Sequence, residues 1–292
     1  MAYLQEESVY KQMKKRLVKN KTWKAVFASA TIFALIMLVV LLVRIISQGT
    51  GYLTLDFLTN FASRIPENAG IKAALVGSLW MMTVVAPTSI ILGVCTAIYL
   101  EEYAKDNKIT AFIRMNISNL AGVPSIVFGL LGLTIFVRML DLGKSILAAG
   151  FTMSLLILPV VIVASQEAIR AVPKELREAS FGMGATKWQT LVRVVLPAAL
   201  PGVLTGSILA LSRGIGETAP LVVIGIPVIL QFLPTGYLDT FTALPMQIYD
   251  WAKRPQEEFQ FVAAAGIMVL MVVLIMMNSI AVFIRNKFQK RY

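Results

Sequence analysis

Residues 194–238 read VVLPAALPGVLTGSILALSRGIGETAPLVVIGIPVILQFLPTGYL, and the only charged side chains among them are Arg213 and Glu217. A helix that crosses the hydrocarbon core of a bilayer, which is roughly 30 Å thick, needs about 20 mostly apolar residues. This stretch therefore predicts a membrane span that carries two charges inside the membrane.

The rest of the chain has the same apolar character. Hydrophobic residues make up 57% of the 292 residues, and the mean hydropathy is +0.75. Soluble domains have roughly 45 to 50% apolar residues even with glycine included, so the composition indicates one membrane-embedded domain. Five further runs are long and apolar enough to span, namely 25–43, 73–100, 115–137, 145–166 and 259–284.

The distribution of Lys and Arg decides the number of spans and their orientation, because short cytoplasmic loops are enriched in basic residues. With one span in 194–238, both termini and two loops lie on one side and carry 19 basic residues, against 7 on the other side. Two spans there would put the basic C-terminal tail outside. We therefore predict an all-α, polytopic protein with six transmembrane helices and with cytoplasmic N- and C-termini.

This topology divides the chain into segments. The predicted segments are a basic cytoplasmic N-terminal segment (1–24), a first, uncleaved transmembrane helix (25–46), an external loop (47–71), a core domain with five spans (72–284) that includes a cytoplasmic loop (166–195) and an external loop (227–258), and a basic cytoplasmic tail (285–292).

The residue counts exclude several chemistries. The chain has no His and a single Cys, Cys95, which excludes a Ser-His-Asp or Cys-His hydrolase and a metal centre built from His and Cys. It has no phosphate-binding loop of the G-x-x-x-x-G-K-[ST] type. We predict no catalytic residues, no metal site and no cofactor bound by this chain. The excess of basic residues reflects membrane topology and not nucleic-acid binding.

The intramembrane charges Arg213 and Glu217 are the first candidate site. At positions i and i+4 of a helix they would share one face and could form an ion pair. A lone Arg at the centre of a bilayer costs about 2.5 to 3.5 kcal/mol on insertion scales, so such residues usually face a bundle interior or an aqueous path. Two interpretations stay open: a structural ion pair, or an Arg213 that lines a translocation path and meets an anion.

Small residues in the same span form an i, i+4 stripe. The stripe consists of Gly202, Gly206, Ala210 and Gly214. Such stripes let helix backbones approach closely in lipid, which predicts that this helix packs at the centre of the bundle or at a subunit interface. In the third span, Pro124 predicts a kink or a break near the start of the helix.

The cytoplasmic loop 166–195 has its own pattern. Pro173 precedes a predicted short helix over 174–181, Gly182 and Gly184 end that helix, and a helical pattern resumes over 187–195. Two short helices joined by a glycine elbow could form a knob that binds a soluble partner, although an ordinary connecting loop is the alternative.

This loop also carries a resemblance. It reads Glu178-Ala179-Ser180, three residues, Gly184, nine residues, Val194, one residue and then Leu196-Pro197. The pattern is similar to the EAA-x3-G-x9-I-x-L-P motif of ABC importer permeases, with Ser180 in place of the third Ala. The resemblance implies a type I ABC importer permease fold, in which Glu178, Ala179, Ser180 and Gly184 contact the ATPase subunit.

Longer stretches resemble the PstA-type permease of phosphate ABC importers. They are NLAGVPSIVFG (119–129), RGIGETAPL (213–221) and FTALP (241–245). The resemblance implies that Arg213, Glu217 and Thr218 belong to the translocation path or its gate. It further implies inorganic phosphate as cargo, a second permease of the PstC type, an ATPase dimer that holds ATP and Mg²⁺, an external phosphate-binding protein, a possible phosphate-signalling regulator, and a bacterial or archaeal plasma membrane.

Three alternatives remain at this point. The chain could be a type I ABC permease for another oxyanion, such as sulfate or molybdate. It could be a secondary transporter driven by an ion gradient, with Glu217 as a proton carrier. It could also be a membrane signalling scaffold.

Overall fold

The computed structural model describes residues 2–288. Five helices are long and apolar enough to cross a membrane, and two shorter helices that meet at a bend of 102° make a sixth span if the pair is counted as one. Within the described residues the prediction of an all-helical polytopic protein is confirmed, and its helices allow the six predicted spans. From position 289 onward, the predicted tail 285–292 lies outside the described residues.

The α-helices of the described range are α1 (Ala2–Gly49), α2 (Leu55–Thr59), α3 (Lys72–Ile98), α4 (Lys108–Leu120), α5 (Ser125–Gly132), α6 (Ile146–Arg170), α7 (Lys174–Gly182), α8 (Lys187–Thr190), α9 (Leu196–Ile215), α10 (Ala219–Ile224), α11 (Leu244–Lys253) and α12 (Glu257–Phe288). Wider π-helical turns extend α3 over Tyr99–Tyr103, extend α5 over Leu133–Met139, and join α8 to α9 over Leu191–Val195. A 3-10 turn covers Pro66–Asn68.

The third span is broken. It consists of α4 and α5, which meet at 102° across a gap of four residues. Pro124 lies at the start of α5 with an extended backbone (φ −56°, ψ 134°). Proline lacks an amide hydrogen and disfavours helical geometry in the residue before it, so a helix cannot run through this point without distortion. The break that Pro124 predicts is therefore present.

Helix α6 is the centre of the fold. Two-thirds of the residues in its most apolar 18-residue stretch are buried inside the chain, which is the largest share among the five long helices. It packs against α3 on one side and α9 on the other. Glycines permit the contact with α3: Gly93 of α3 lies against Val161 of α6, and Gly150 of α6 lies against Val84 of α3. An added Cβ at either glycine would come within 2.6 to 2.7 Å of the valine side chain.

Helix α1 is the least buried of the long helices, because no residue in its most apolar stretch is buried inside the chain. Its contact is with α12, where Gly49 lies against Ala265 and Met268. An ideal Cβ on Gly49 would come within 2.8 Å of the Ala265 nitrogen. The helix is therefore held near its C-terminal end, and its residues 13–41 are exposed.

The segment predicted as the external loop 227–258 is more structured than the sequence suggested. It contains α11, in which Leu244 and Trp251 are fully buried. The amide of Leu244 donates to Ser78 Oγ (2.8 Å), and the amide of Ile146 donates to the carbonyl of Asp239 (3.2 Å). This segment therefore packs on the N-terminal ends of α3 and α6 and closes the bundle at that end.

Candidate functional site

Arg213 and Glu217 lie where the fifth span ends. Helix α9 stops at Ile215, Gly216 occupies the C-cap position, and α10 begins only at Ala219. Glu217 therefore lies in the break between two helices, and the expectation that both residues share one continuous helical face is wrong. The ion pair itself is present, because Arg213 Nε lies 3.7 Å from Glu217 Oε1.

The depth of this pair follows from the register between α6 and α9. Gly202 lies against Ala168, Gly206 against Ala164, and Gly214 against Ile157, so the two helices run antiparallel. Ile157 is close to the middle of α6, which covers Ile146–Arg170. At about 1.5 Å per residue, it lies about 17 Å from one end and about 20 Å from the other. Arg213, which precedes Gly214, is therefore level with the middle of α6.

Arg213 is available for a further partner. Its side chain is 64% exposed in the isolated chain, whereas that of Glu217 is 21% exposed. At 3.7 Å their contact is electrostatic and too long for a hydrogen bond. Among the residues whose side chains the structure describes, no acceptor lies within hydrogen-bond distance of the guanidinium. A guanidinium has five N–H donors, and two of them can bind two oxygens of one carboxylate or phosphate.

The two broken spans meet beside Arg213. Helix α5, which follows the first break, packs on α10, which follows the second. Gly129 makes this contact possible, because an added Cβ would lie 2.8 Å from Pro220 Cα. Thr218 caps α10 and accepts the amide of Val222 through its carbonyl (3.0 Å). The cleft at Arg213 is lined by Leu120, Ala121, Val123, Phe128, Leu156, Ile157, Val160 and Ala210.

The stripe of small residues lies between α6 and α9. Ala210 is 2% exposed, and an added Cβ on Gly206 would come within 2.3 Å of Ala164 Cβ. The structure thus places Gly202, Gly206 and Gly214 in a contact within the chain, where they set the distance between the central helix and the span that carries Arg213.

The cytoplasmic loop folds as two helices and an elbow. Helix α7 ends at Gly182, and Gly184 has a φ of +81°, a conformation that side chains disfavour. The hydroxyls of Ser180 and Thr190 lie 2.9 Å apart and join α7 to α8. Glu178 and Ala179 are exposed on α7. Beside them, a mainly apolar groove is lined by Leu176, Ala179, Ser180, Met183, Ala185, Arg193, Val194 and Ala198.

The sequence did not reveal a cluster of charges beneath α7. The cluster consists of Glu101 and Glu102 at the end of α3, Arg114 on α4, Arg170 on α6 and Arg177 on α7. The partners are separated by up to 75 residues along the chain. The signal available in the sequence was the concentration of opposite charges at the ends of several spans, but it does not specify which side chains pair.

Comparison with known proteins agrees with this geometry. Residues 89–290 match the model of a family described as "Binding-protein-dependent transport system inner membrane component". The chain belongs to this family of permeases. The matched residues include the cytoplasmic loop, Arg213 and the last long helix.

Individual relatives cover most of the permease. It is 34% identical to the phosphate transport system permease protein PstA 1 of Mycobacterium tuberculosis (strain CDC 1551 / Oshkosh), over 93% of this chain and 90% of the relative. It is 36% identical to PstA of Mycobacterium leprae (strain TN), over 83% and 80% respectively. It is also 36% identical to the probable ABC transporter permease protein YqgI of Bacillus subtilis (strain 168), over 70% of each chain.

Solved structures share the fold of the permease. A chain of the inward-facing MetNI methionine ABC transporter matches with a TM-score of 0.63 at 16% identity, over 75% of this chain and 96% of that chain. A chain of a bacterial alginate ABC transporter, in complex with a periplasmic protein bound to an alginate pentasaccharide, also gives a TM-score of 0.63 at 16% identity, over 91% and 94%. The type I ABC importer permease fold predicted from the EAA-like loop is therefore confirmed.

Proposed function

We propose that this permease is a transmembrane subunit of an ATP-driven importer of inorganic phosphate. The observation that carries the proposal is Arg213, whose guanidinium is level with the middle of α6, has no hydrogen-bond acceptor among the residues whose side chains the structure describes, and has a carboxylate 3.7 Å away. The mycobacterial PstA relatives, which match over most of their length, support phosphate as the cargo. Phosphate is an anion that a guanidinium can bind through two parallel hydrogen bonds.

The arrangement of Arg213 and Glu217 suggests how the cargo is handled. In the resting protein Glu217 balances the charge of Arg213 and lowers the cost of keeping it in the membrane. When the path opens, the phosphate replaces Glu217 as the partner of the guanidinium. Because both residues flank the break between α9 and α10, a small rotation of α10 about Gly216 would separate them without disturbing the packing of α9 on α6.

The remaining partners belong to the same proposal. A second, related permease of the PstC type would complete the path, and an external phosphate-binding protein would dock on the side formed by 47–71 and 227–258. ATP and Mg²⁺ would be held by a dimer of ATPase subunits, which would bind α7 and its elbow. The exposed Glu178 and the apolar groove beside Ala179 support this docking. The basic flanks support cytoplasmic termini. The bacterial relatives and the family description support the plasma membrane of a bacterium or archaeon as the location.

The cytoplasmic loop that contains α7 and α8 would transmit movement of the ATPase subunits to the spans. Closure of the ATPase dimer would displace α7, and the continuous helical run from Lys187 to Ile215 would carry this displacement toward Arg213. The spans would then face outward and accept phosphate from the binding protein. ATP hydrolysis would reverse the movement and release phosphate to the cytoplasm.

The decisive experiment is ATP-dependent uptake of radiolabelled phosphate into vesicles that contain this chain and its candidate partners. Sulfate and molybdate are added as competitors. Uptake that requires ATP and the binding protein, and that resists both competitors, is the expected result. An assembled complex that hydrolyses ATP but transports no phosphate would refute the assignment of the cargo, and uptake without any ATPase subunit would favour a secondary transporter.

A further inference from the structure

The cytoplasmic end of α3 holds two adjacent carboxylates that contact different helices. Glu101 is 9% exposed and accepts hydrogen bonds from Gln166 Nε2 (2.7 Å) and from Arg170 Nε and Nη2 (2.8 Å each). The contact with Arg170 is a two-pronged fork, which is the strongest geometry for this type of ion pair. Glu101 therefore joins the second span to the fourth, α6.

Its neighbour Glu102 reaches the coupling helix α7. Arg177 Nη2 donates to Glu102 Oε1 (3.1 Å) and to the carbonyl of Ile169 (2.8 Å), and Nη1 donates to the carbonyl of Val172 (3.3 Å). Both charged side chains are largely shielded, with exposures of 20% for Arg177 and 13% for Glu102. The last carbonyls of a helix have no partner within it, so Arg177 also caps the C-terminal end of α6.

A fourth element joins the same cluster. Arg114 of α4 donates to the carbonyl of Leu100 and lies 3.8 Å from Glu101 Oε1. The π-helical turn Tyr99–Tyr103 holds both carboxylates, and its wider geometry ends α3 at this point. The cytoplasmic ends of three spans and the coupling helix are thus connected by side chains that share one carboxylate pair.

The contact between Glu102 and Arg177 joins two helices, α7 and α3, that no short stretch of backbone connects. Helix α7 follows α6 after three residues and precedes α8 after four, so its displacement reaches α6 and α9 through the backbone. No short connection joins α7 to α3, which lies more than 70 residues earlier. A movement of α7 can therefore reach the second span directly only through side chains, and Glu102 and Arg177 supply a charged contact of that kind.

We infer that the ion pair of Glu102 and Arg177 transmits the displacement of α7 to the second span, and that it couples ATP hydrolysis to phosphate movement. This inference rests on the proposed function. Both residues line a polar cavity beside α7 that Glu178 also lines, but neither lines the apolar groove of α7 or the cleft at Arg213, so they act as positioning residues. Removing one partner breaks the direct contact between α7 and the end of α3 and leaves only the indirect route through α6.

The test is a double-mutant cycle on the assembled complex in proteoliposomes. The variants are Glu102→Gln, Arg177→Met and the two combined, and the measured quantity is the number of phosphate ions transported per ATP hydrolysed. Coupling between two sites typically corresponds to a factor of about 5 to 150, so we expect each single variant to lower this ratio about tenfold or more. Because both residues act through one contact, the double variant should lose no more than the poorer single variant.

Glu167→Gln is the matched control. It removes an exposed ion pair with Arg170 on the same side of the membrane, but that pair lies within α6 and links no second element. We expect a normal ratio of phosphate to ATP for this variant. Losses in the double variant that equal the product of the single losses would overturn the inference, as would normal coupling in an assembled Glu102→Gln complex.

Assembly and coupling are separated by Glu102→Asp, which keeps the charge and shortens the side chain by one methylene group. If Glu102→Gln does not co-purify with the ATPase, an assembled and normally coupled Glu102→Asp would support the inference, because the charge pair is kept. An assembled Arg177→Met complex with normal coupling would overturn it. The stimulation of ATP hydrolysis by the binding protein is recorded in parallel. If wild-type complexes transport no phosphate, phosphate is not the cargo. Loss of the stimulation of ATP hydrolysis in Glu102→Gln would then still support the link between α7 and the second span.

Discussion

Gly206 sets the distance between α9 and the central helix, and its replacement by alanine should force the two apart. An ideal Cβ on Gly206 would lie 2.3 Å from Ala164 Cβ. Carbon atoms in contact are normally about 3.5 to 4.0 Å apart, so the helices must separate by about 1.2 Å or more. The neighbouring close contact of Gly202 with Ala168 would loosen at the same time.

The expected cost is about 1 to 3 kcal/mol of stability, which is typical of overpacked sites. It cannot be relieved by a side-chain rotation, because the atom that clashes is a methyl group fixed to the backbone of α6. Thermal unfolding of the purified protein in detergent should show a lower midpoint for Gly206→Ala. Phosphate uptake should fall as well, because α9 carries Arg213 and the displacement shifts it relative to the cleft.

Exchanging the two residues should restore the contact. In Gly206→Ala combined with Ala164→Gly, the new Cβ faces Ala164 Cα at 3.6 Å, which is an ordinary contact distance. Gly51→Ala serves as the control, since an added Cβ there meets no atom within 4 Å. A single variant that unfolds at the wild-type midpoint, or a double variant that is no better than the single one, would refute the close packing of α9 on α6.

Three further predictions concern the site and the coupling loop. Arg213→Ala should abolish phosphate uptake while the complex still co-purifies, because the guanidinium would be lost from an exposed position without a packing role; normal uptake would contradict its place in the path. Glu178→Lys should reduce co-purification of the ATPase, since it reverses an exposed charge on α7. Gly184→Ala should weaken the same docking, because a side chain at a φ of +81° strains the elbow by about 1 to 2 kcal/mol. Gly182→Ala is the control and should leave the docking unchanged, since an added Cβ there meets no atom within 4 Å.

The parts of the fold that could be predicted are those that local chemistry determines. Hydropathy over about 20 residues identifies a span regardless of its neighbours, so the five long apolar helices followed from the sequence. The break at Pro124 and the elbow at Gly184 were predictable as well, because proline and glycine restrict or free the backbone at their own positions.

Other features depend on contacts between distant segments. The spacing of Arg213 and Glu217 fits a helical turn and therefore predicted one helix for both residues. In the structure α9 ends at Ile215, and Gly216 and Pro220 allow a second helix to start. The burial of Trp251 in a segment predicted as a loop depends on its packing beneath the ends of the spans. The link between Glu102 and Arg177 joins residues 75 positions apart, and no local pattern encodes it.

The exposure of α1 has a consequence for how the protein is made. Its neighbour in the fold, α12, is synthesised roughly 200 residues later, which at about 5 to 20 residues per second corresponds to about 10 to 40 seconds. During this interval α12 is not yet present to cover α1, so α1 cannot rely on that contact for its insertion. Its insertion must therefore rest on its own hydropathy, so polar substitutions in α1 should reduce the amount of protein in the membrane and leave the activity of each inserted molecule largely intact.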